Sequence, residues 1–103
     1  MADIEVRSSG GIVRASPADR IVVRVPENAT TGYRWSITEV GETLEIVAND
    51  FVLPAELIPG AGGERVVVVR PRRIGRGRVA LRLQREWEPE PIDRFEFEVD
   101  VTT

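Results

Sequence analysis

Cysteine, histidine and lysine are all missing from this sequence, and its fourteen basic residues are arginines without exception. Without cysteine there are no disulfides, thiol nucleophiles or thiolate metal sites. Without histidine and lysine there is no imidazole base, no Schiff-base amine and no lysine to grip a phosphate. Catalysis would have to rest on carboxylates, hydroxyls and the single tyrosine, Tyr33. An enzyme is therefore not expected, nor is a cofactor or a resident metal. No apolar run approaches the ~18–20 residues of a transmembrane helix. The start, Met1-Ala2-Asp3-Ile4-Glu5, lacks the apolar core of a signal peptide; if the chain is complete, that fits a cytoplasmic protein. A formal charge of only −3 gives no global pull toward nucleic acid or an anionic membrane.

What is present is alternation with a period of two. Tyr33, Trp35 and Ile37 alternate with Arg34, Ser36 and Thr38, and Val79, Leu81 and Leu83 with Ala80, Arg82 and Gln84. Near the end Phe95, Phe97, Val99 and Val101 alternate with Glu96, Glu98, Asp100 and Thr102. Each set gives one apolar and one polar face, as a half-buried antiparallel strand requires. Val66 to Val69 is continuously apolar, which predicts a strand covered on both sides. Shorter candidate strands are Ile4 to Arg7, Gly11 to Ala15, Ile21 to Val25 and Leu44 to Val47. No segment has the pattern of a good helix.

Residues 1–103 are thus expected to form one all-β domain, an antiparallel sandwich, and to be monomeric when free. Five connections carry the glycines and prolines: Pro26–Gly32, Gly41–Glu42, Pro54–Gly63, Pro71–Gly77 and Glu86–Ile92. If successive strands run antiparallel, the first, third and fifth lie at one end. The second and fourth, including Gly75-Arg76-Gly77, have the composition of plain reversals.

The loop motifs exclude several chemistries. Gly60-Ala61-Gly62-Gly63 leads into a strand rather than a helix and has no lysine, which argues against a nucleotide cradle. Glu86, Glu88 and Glu90 have strand-like spacing, but a short proline-broken loop offers no sugar cleft between two carboxyls. They are expected to be solvated acids. Asn28-Ala29-Thr30 matches a glycosylation acceptor, though a glycan there would bury its own loop. The eight arginines from Arg65 to Arg85 have no interleaved aromatics for RNA. Pairing with the acidic segment from Glu86 to Asp100 accounts for them better. Trp87, between two glutamates and near two prolines, is expected to stay exposed, and exposed tryptophan is enriched at binding hot spots.

Three loops of this kind, in this order, resemble the chagasin-type inhibitors of papain-family cysteine proteases. That family carries an Asn-Pro-Thr-Thr-Gly loop before an aromatic strand, a glycine-rich middle loop and an Arg-Pro-Trp-type final loop. Here these positions are Asn28-Ala29-Thr30-Thr31-Gly32-Tyr33, Gly60-Ala61-Gly62-Gly63 and Arg85-Glu86-Trp87. The resemblance spans the whole chain. It implies an immunoglobulin-like sandwich whose three loops form a wedge, with Thr31 and Gly32 entering the cleft of a papain-like cysteine protease. Arg85 and Trp87 would make one outer contact, and Gly60, Gly62 and Gly63 the other. Slim, uncharged residues at the centre let backbone approach a narrow groove, and inhibition would be occlusion without chemistry. Ala29 and Glu86 replace two family prolines, which puts loop rigidity and potency at issue. The alternative is a non-inhibitory binding module using the same loop end.

Overall fold

The structure, a computed structural model, describes residues 2–53 and 62–103. Its strands are β1 (Asp3–Val6), β2 (Ile12–Ala15), β3 (Arg20–Glu27), β4 (Arg34–Val40), β5 (Leu44–Val52), β6 (Gly63–Pro71), β7 (Gly75–Gln84) and β8 (Asp93–Val101). A single 3₁₀ turn, Ala29–Thr31, is the one helical element among the described residues. The strands form two four-stranded sheets, ordered β1-β3-β6-β5 and β2-β8-β7-β4.

The alternating segments become strands because each has an inner face to bury. Ile21, Val23 and Val25 of β3, with Val67 and Val69 of β6, form one side of the core. Trp35, Val79, Leu81, Phe95, Phe97, Val99 and Val101 form the other. Phe95 packs edge-on against both Trp35, at 6.3 Å between centroids, and Phe97, at 6.0 Å. Burying each such side chain gains about 1.5–3 kcal/mol, which holds the sheets face to face.

Four details differ from the sequence-based expectation. Val67 and Val69 are fully buried, but Val66 and Val68 are only half-buried, so β6 is covered on one face. Its valine run, Val66 to Val69, lies at an inner position of the sheet, between β3 and β5. The Leu44 segment continues to Val52, past a bulge between Ile46 and Ala48. Gly75 and Gly77 belong to β7 rather than to a reversal. A β-carbon on Gly77 would collide with the Thr43 hydroxyl and stand 3.0 Å from Leu44 Cδ1, so that glycine admits the β4–β5 turn. Finally, β1 pairs with β3, and β2 with β8, in parallel.

Register fixes which loops share an end. Glu27 at the close of β3 pairs with Gly63 at the start of β6, and Val52 at the close of β5 pairs with Glu64. On the other sheet Arg34 pairs with Gln84, and Leu83 with Asp93. The connections 28–33 and 85–92 therefore start and finish at the same end of the sandwich as Val52 and Gly63. The outer faces carry the anticipated pairs with the acidic segment, Arg78–Glu96 and Arg76–Glu98 at 3.6 Å, while Arg70 pairs outside it, with Glu45. Donating a hydrogen bond to the Glu96 carboxylate holds the Arg78 guanidinium above its ordinary pKa. Exposed pairs of this kind contribute little to stability, because water screens them.

Candidate functional site

Residues 28–33 fold back on their own side chains. Asn28 is extended, with φ −106° and ψ 107°, and caps the 3₁₀ turn. Its Oδ1 accepts from Thr30 N at 3.1 Å and from Thr30 Oγ1 at 2.7 Å. Thr31 Oγ1 donates to Asn28 O at 2.8 Å and accepts from Tyr33 N at 3.3 Å. Gly32 closes the turn at φ 81°, a left-handed conformation that glycine adopts without a β-carbon penalty. Both threonine hydroxyls are thus used inside the loop while Ala29, Thr30 and Thr31 remain exposed.

The 85–92 loop leans on this one through Arg85. Its Nε donates to Thr31 O at 2.9 Å and its Nη1 to Glu88 Oε1 at 3.0 Å. Its guanidinium carbon lies 4.2 Å from the Tyr33 ring centroid, within cation–π range. Arg85, expected beside Trp87 as an outer contact, does lie 5.9 Å from that ring's centroid, and it also braces the two loops. Tyr33, expected in the core alternation, is half-buried beneath that guanidinium and precedes β4. Glu88, expected to be solvated, is half-buried against Arg85. Trp87 is 72% exposed, as its neighbours suggested. A β-carbon on Gly32 would stand 3.0 Å from Trp87 Cη2, so the indole edge and the glycine are neighbours.

Glu86 is exposed in a tight turn closed by Glu88 N donating to Arg85 O at 3.1 Å. Glu86 holds the second position of that turn, which favours proline. Glu86→Pro is therefore expected to stabilise the protein by ~0.4–1 kcal/mol through the unfolded chain. In a thermal melt this is a rise of about 2–8 °C. A fall would mean that the backbone here does not suit proline.

On the opposite flank Gly62 is exposed and close to Asn28: a β-carbon on it would stand 3.6 Å from Asn28 Cβ. Gly63 is the first residue of β6, and a β-carbon there would stand 2.7 Å from Phe51 Cζ. Packing alone demands glycine at that position. Gly60, the remaining middle-loop candidate, lies outside the described residues.

Sequence reasoning did not single out the floor of the site. Glu27 is 4% exposed, and its carboxylate accepts from Trp35 N at 2.7 Å and from Arg65 Nη2 and Nε at 2.7 and 3.2 Å. The Trp35 indole donates to Pro26 O at 2.9 Å. These bonds tie both feet of the 28–33 loop, one on each sheet. The signal was available: Ile21, Val23 and Val25 point inward, and the same period carries on to residue 27. Among the described residues no carboxylates converge as a metal site.

The same arrangement has relatives. The crystal structure of the cysteine protease inhibitor EhICP2 from Entamoeba histolytica matches with a TM-score of 0.88 at 21% identity, over 98% of this chain and 96% of that one. PbICP-C, solved in complex with falcipain-2, matches with a TM-score of 0.62 at 12% identity, over 99% and 98%. Both share the fold. In sequence, amoebiasin-1 of Entamoeba histolytica is 33% identical over 78 residues, 72% of this chain and 74% of that protein. The model of the chagasin family peptidase inhibitors (I42) matches residues 14–101, and the chain belongs to that family.

Proposed function

We propose that this protein is a reversible, tight-binding inhibitor of papain-like cysteine proteases. Loop 28–33 occupies the active-site cleft, and the flanking loops grip its walls. The observation that carries this is the braced loop itself. Its hydroxyls are satisfied internally, its tip is a left-handed glycine, and Trp87 stands exposed at its side. A wedge already held in shape loses little conformational freedom on docking. It presents slim backbone to a narrow groove, and no electrophile beyond its peptide carbonyls to the catalytic thiol. Family membership places the chain among inhibitors rather than enzymes, and EhICP2 is itself a cysteine protease inhibitor.

The test is a panel of proteases. Papain-like enzymes should be inhibited reversibly and trypsin-like serine proteases left untouched, with the inhibitor recovered intact by mass spectrometry. Equal inhibition of both classes, or stoichiometric cleavage at Thr31-Gly32, would exclude occlusion. On the same mechanism Glu86→Pro should also bind a papain-like protease a few-fold more tightly.

A further inference from the structure

The outer face of the β4–β7–β8 surface has a charge pattern that the wedge does not use. Trp35, Leu81, Leu83 and Phe95 pack toward the core, so Arg34, Ser36, Arg82, Gln84 and Arg94 face outward. Arg82 stands directly across from Arg94 on β8 and from Ser36 on β4. Arg34 lies two residues along β4 from Ser36. Like charges directly opposite one another on a sheet are destabilising. Among the described residues none of these three arginines forms an ion pair, whereas Arg76, Arg78 and Arg85 of the same sheet and its loop do. A cluster of three unneutralised guanidiniums thus sits on a chain of net charge −3.

Arg34 and Arg82 line a groove of about 470 Å³ together with Gly32, Gln84 and Trp87. Glu86 is the one carboxylate in its lining. The groove is continuous with the wedge, because Gly32 and Trp87 belong to both. An enzyme seated on loops 28–33 and 85–92 would hold its cleft wall over these arginines. We propose that Arg34, Arg82 and Arg94 form an exosite for an acidic patch on that wall, selecting among papain-like proteases by surface charge. This rests on the inhibitory function proposed above. A polyanionic chain fits less well, since beyond Arg94 the sheet surface alternates in sign, with Glu96 and Glu98 paired to Arg78 and Arg76.

Rim charges act mainly on association rate and its salt dependence, by about 10- to 1,000-fold at low ionic strength. The experiment compares the parent with Arg34→Ser/Arg82→Thr/Arg94→Thr. Association and dissociation are measured with two papain-like proteases, one with an acidic and one with a basic cleft wall. Salt is set at about 10 mM and about 1 M, where the screening length is about 30 Å and about 3 Å. The parent should associate with the acidic enzyme at least about tenfold faster at low salt, and the triple variant should lose that acceleration. The basic enzyme should show the opposite sign, and dissociation should change little. The variant should melt at or above the parent, because the Arg82–Arg94 repulsion is gone. Arg82→Gln alone should give a smaller change of the same sign. Unchanged association in the variants, with inhibition intact, would overturn the exosite and leave the inhibitory function standing. Absence of inhibition of either enzyme by the parent would remove both. Heparin binding lost in the variant while protease kinetics stay the same would give the cluster to a polyanion and overturn the proposal.

Discussion

Gly32→Val is expected to abolish most of the inhibition while leaving a folded protein. Gly32 sits at φ 81°, where a β-branched residue is a severe outlier and the strain is about 1–2 kcal/mol. The new side chain would also start 3.0 Å from Trp87 Cη2, pressing apart the two loops proposed to meet the protease. The strain falls on an exposed turn at the end of the sandwich, away from Trp35, Phe95 and Leu81, so the sheets should persist. The expected cost in binding is at least ~2–3 kcal/mol, the range of a hot-spot substitution, or about 30- to 150-fold in inhibition constant.

Gly32→Asn separates the two causes, because asparagine tolerates the left-handed region but still adds bulk. If close backbone approach is what matters, Gly32→Asn should melt like the parent and inhibit poorly. Inhibition retained by asparagine and lost with valine would assign the effect to loop conformation. Two folded variants that both inhibit like the parent would remove loop 28–33 from the mechanism. Thr31→Arg is a less clean probe than its exposure suggests, since the Thr31 hydroxyl makes two bonds within the loop.

The second large effect is expected on stability, from Arg65→Met. The Glu27 side chain is 2% exposed and that of Arg65 15% exposed, so their ion pair is largely out of water. Removing the arginine leaves a buried carboxylate with Trp35 N as its remaining protein donor. Breaking a buried pair from one side typically costs 3–5 kcal/mol. The residual exposure of Arg65 lets some water in, and about 3 kcal/mol is the expected loss. For a chain of this size that lowers the melting temperature by roughly 12–24 °C. Glu27→Gln combined with Arg65→Met should recover part of it, because an uncharged amide oxygen can still accept from Trp35 N. A single Arg65→Met variant that melts within about 2 °C of the parent, less than 1 kcal/mol, would show that solvent already screens the pair. Because Glu27 ends β3 and Trp35 lies in β4, the same change should weaken inhibition by loosening both feet of the loop.

The strands were legible where burial is one-sided. Phe95, Phe97, Val99 and Val101 record in their own spacing that one face meets a core and the other meets water, and this information is local. The gathering of three loops at one end also followed from the sequence, because it needs only an even number of strands, two, between successive loops. Loop chemistry was legible in kind: Thr-Thr-Gly before an aromatic strand, and a tryptophan among glutamates and prolines, carried the resemblance to the family that the chain belongs to.

Partner choice was not legible. Whether β1 runs parallel to β3, or β2 to β8, is set by which sheet edge remains open once the other strands have paired. No short window of sequence contains that edge. Gly75 and Gly77 read as a turn because glycine permits turns, but it also permits close approach. Only the packed Thr43 and Leu44 decide between the two. The resemblance placed Arg85 beside Trp87 and could not say what else it touches. Its guanidinium is held where Thr31 O, the Tyr33 ring and Glu88 converge from two loops. Glu27 and Arg65 are 38 residues apart, and neither explains the other until β3 and β6 lie side by side. Composition and periodicity determined which faces are buried, since that preference belongs to each side chain alone. Which polar groups find each other was decided by the tertiary structure, because a hydrogen bond or ion pair depends on ångström distances between segments that only the folded sheets bring together.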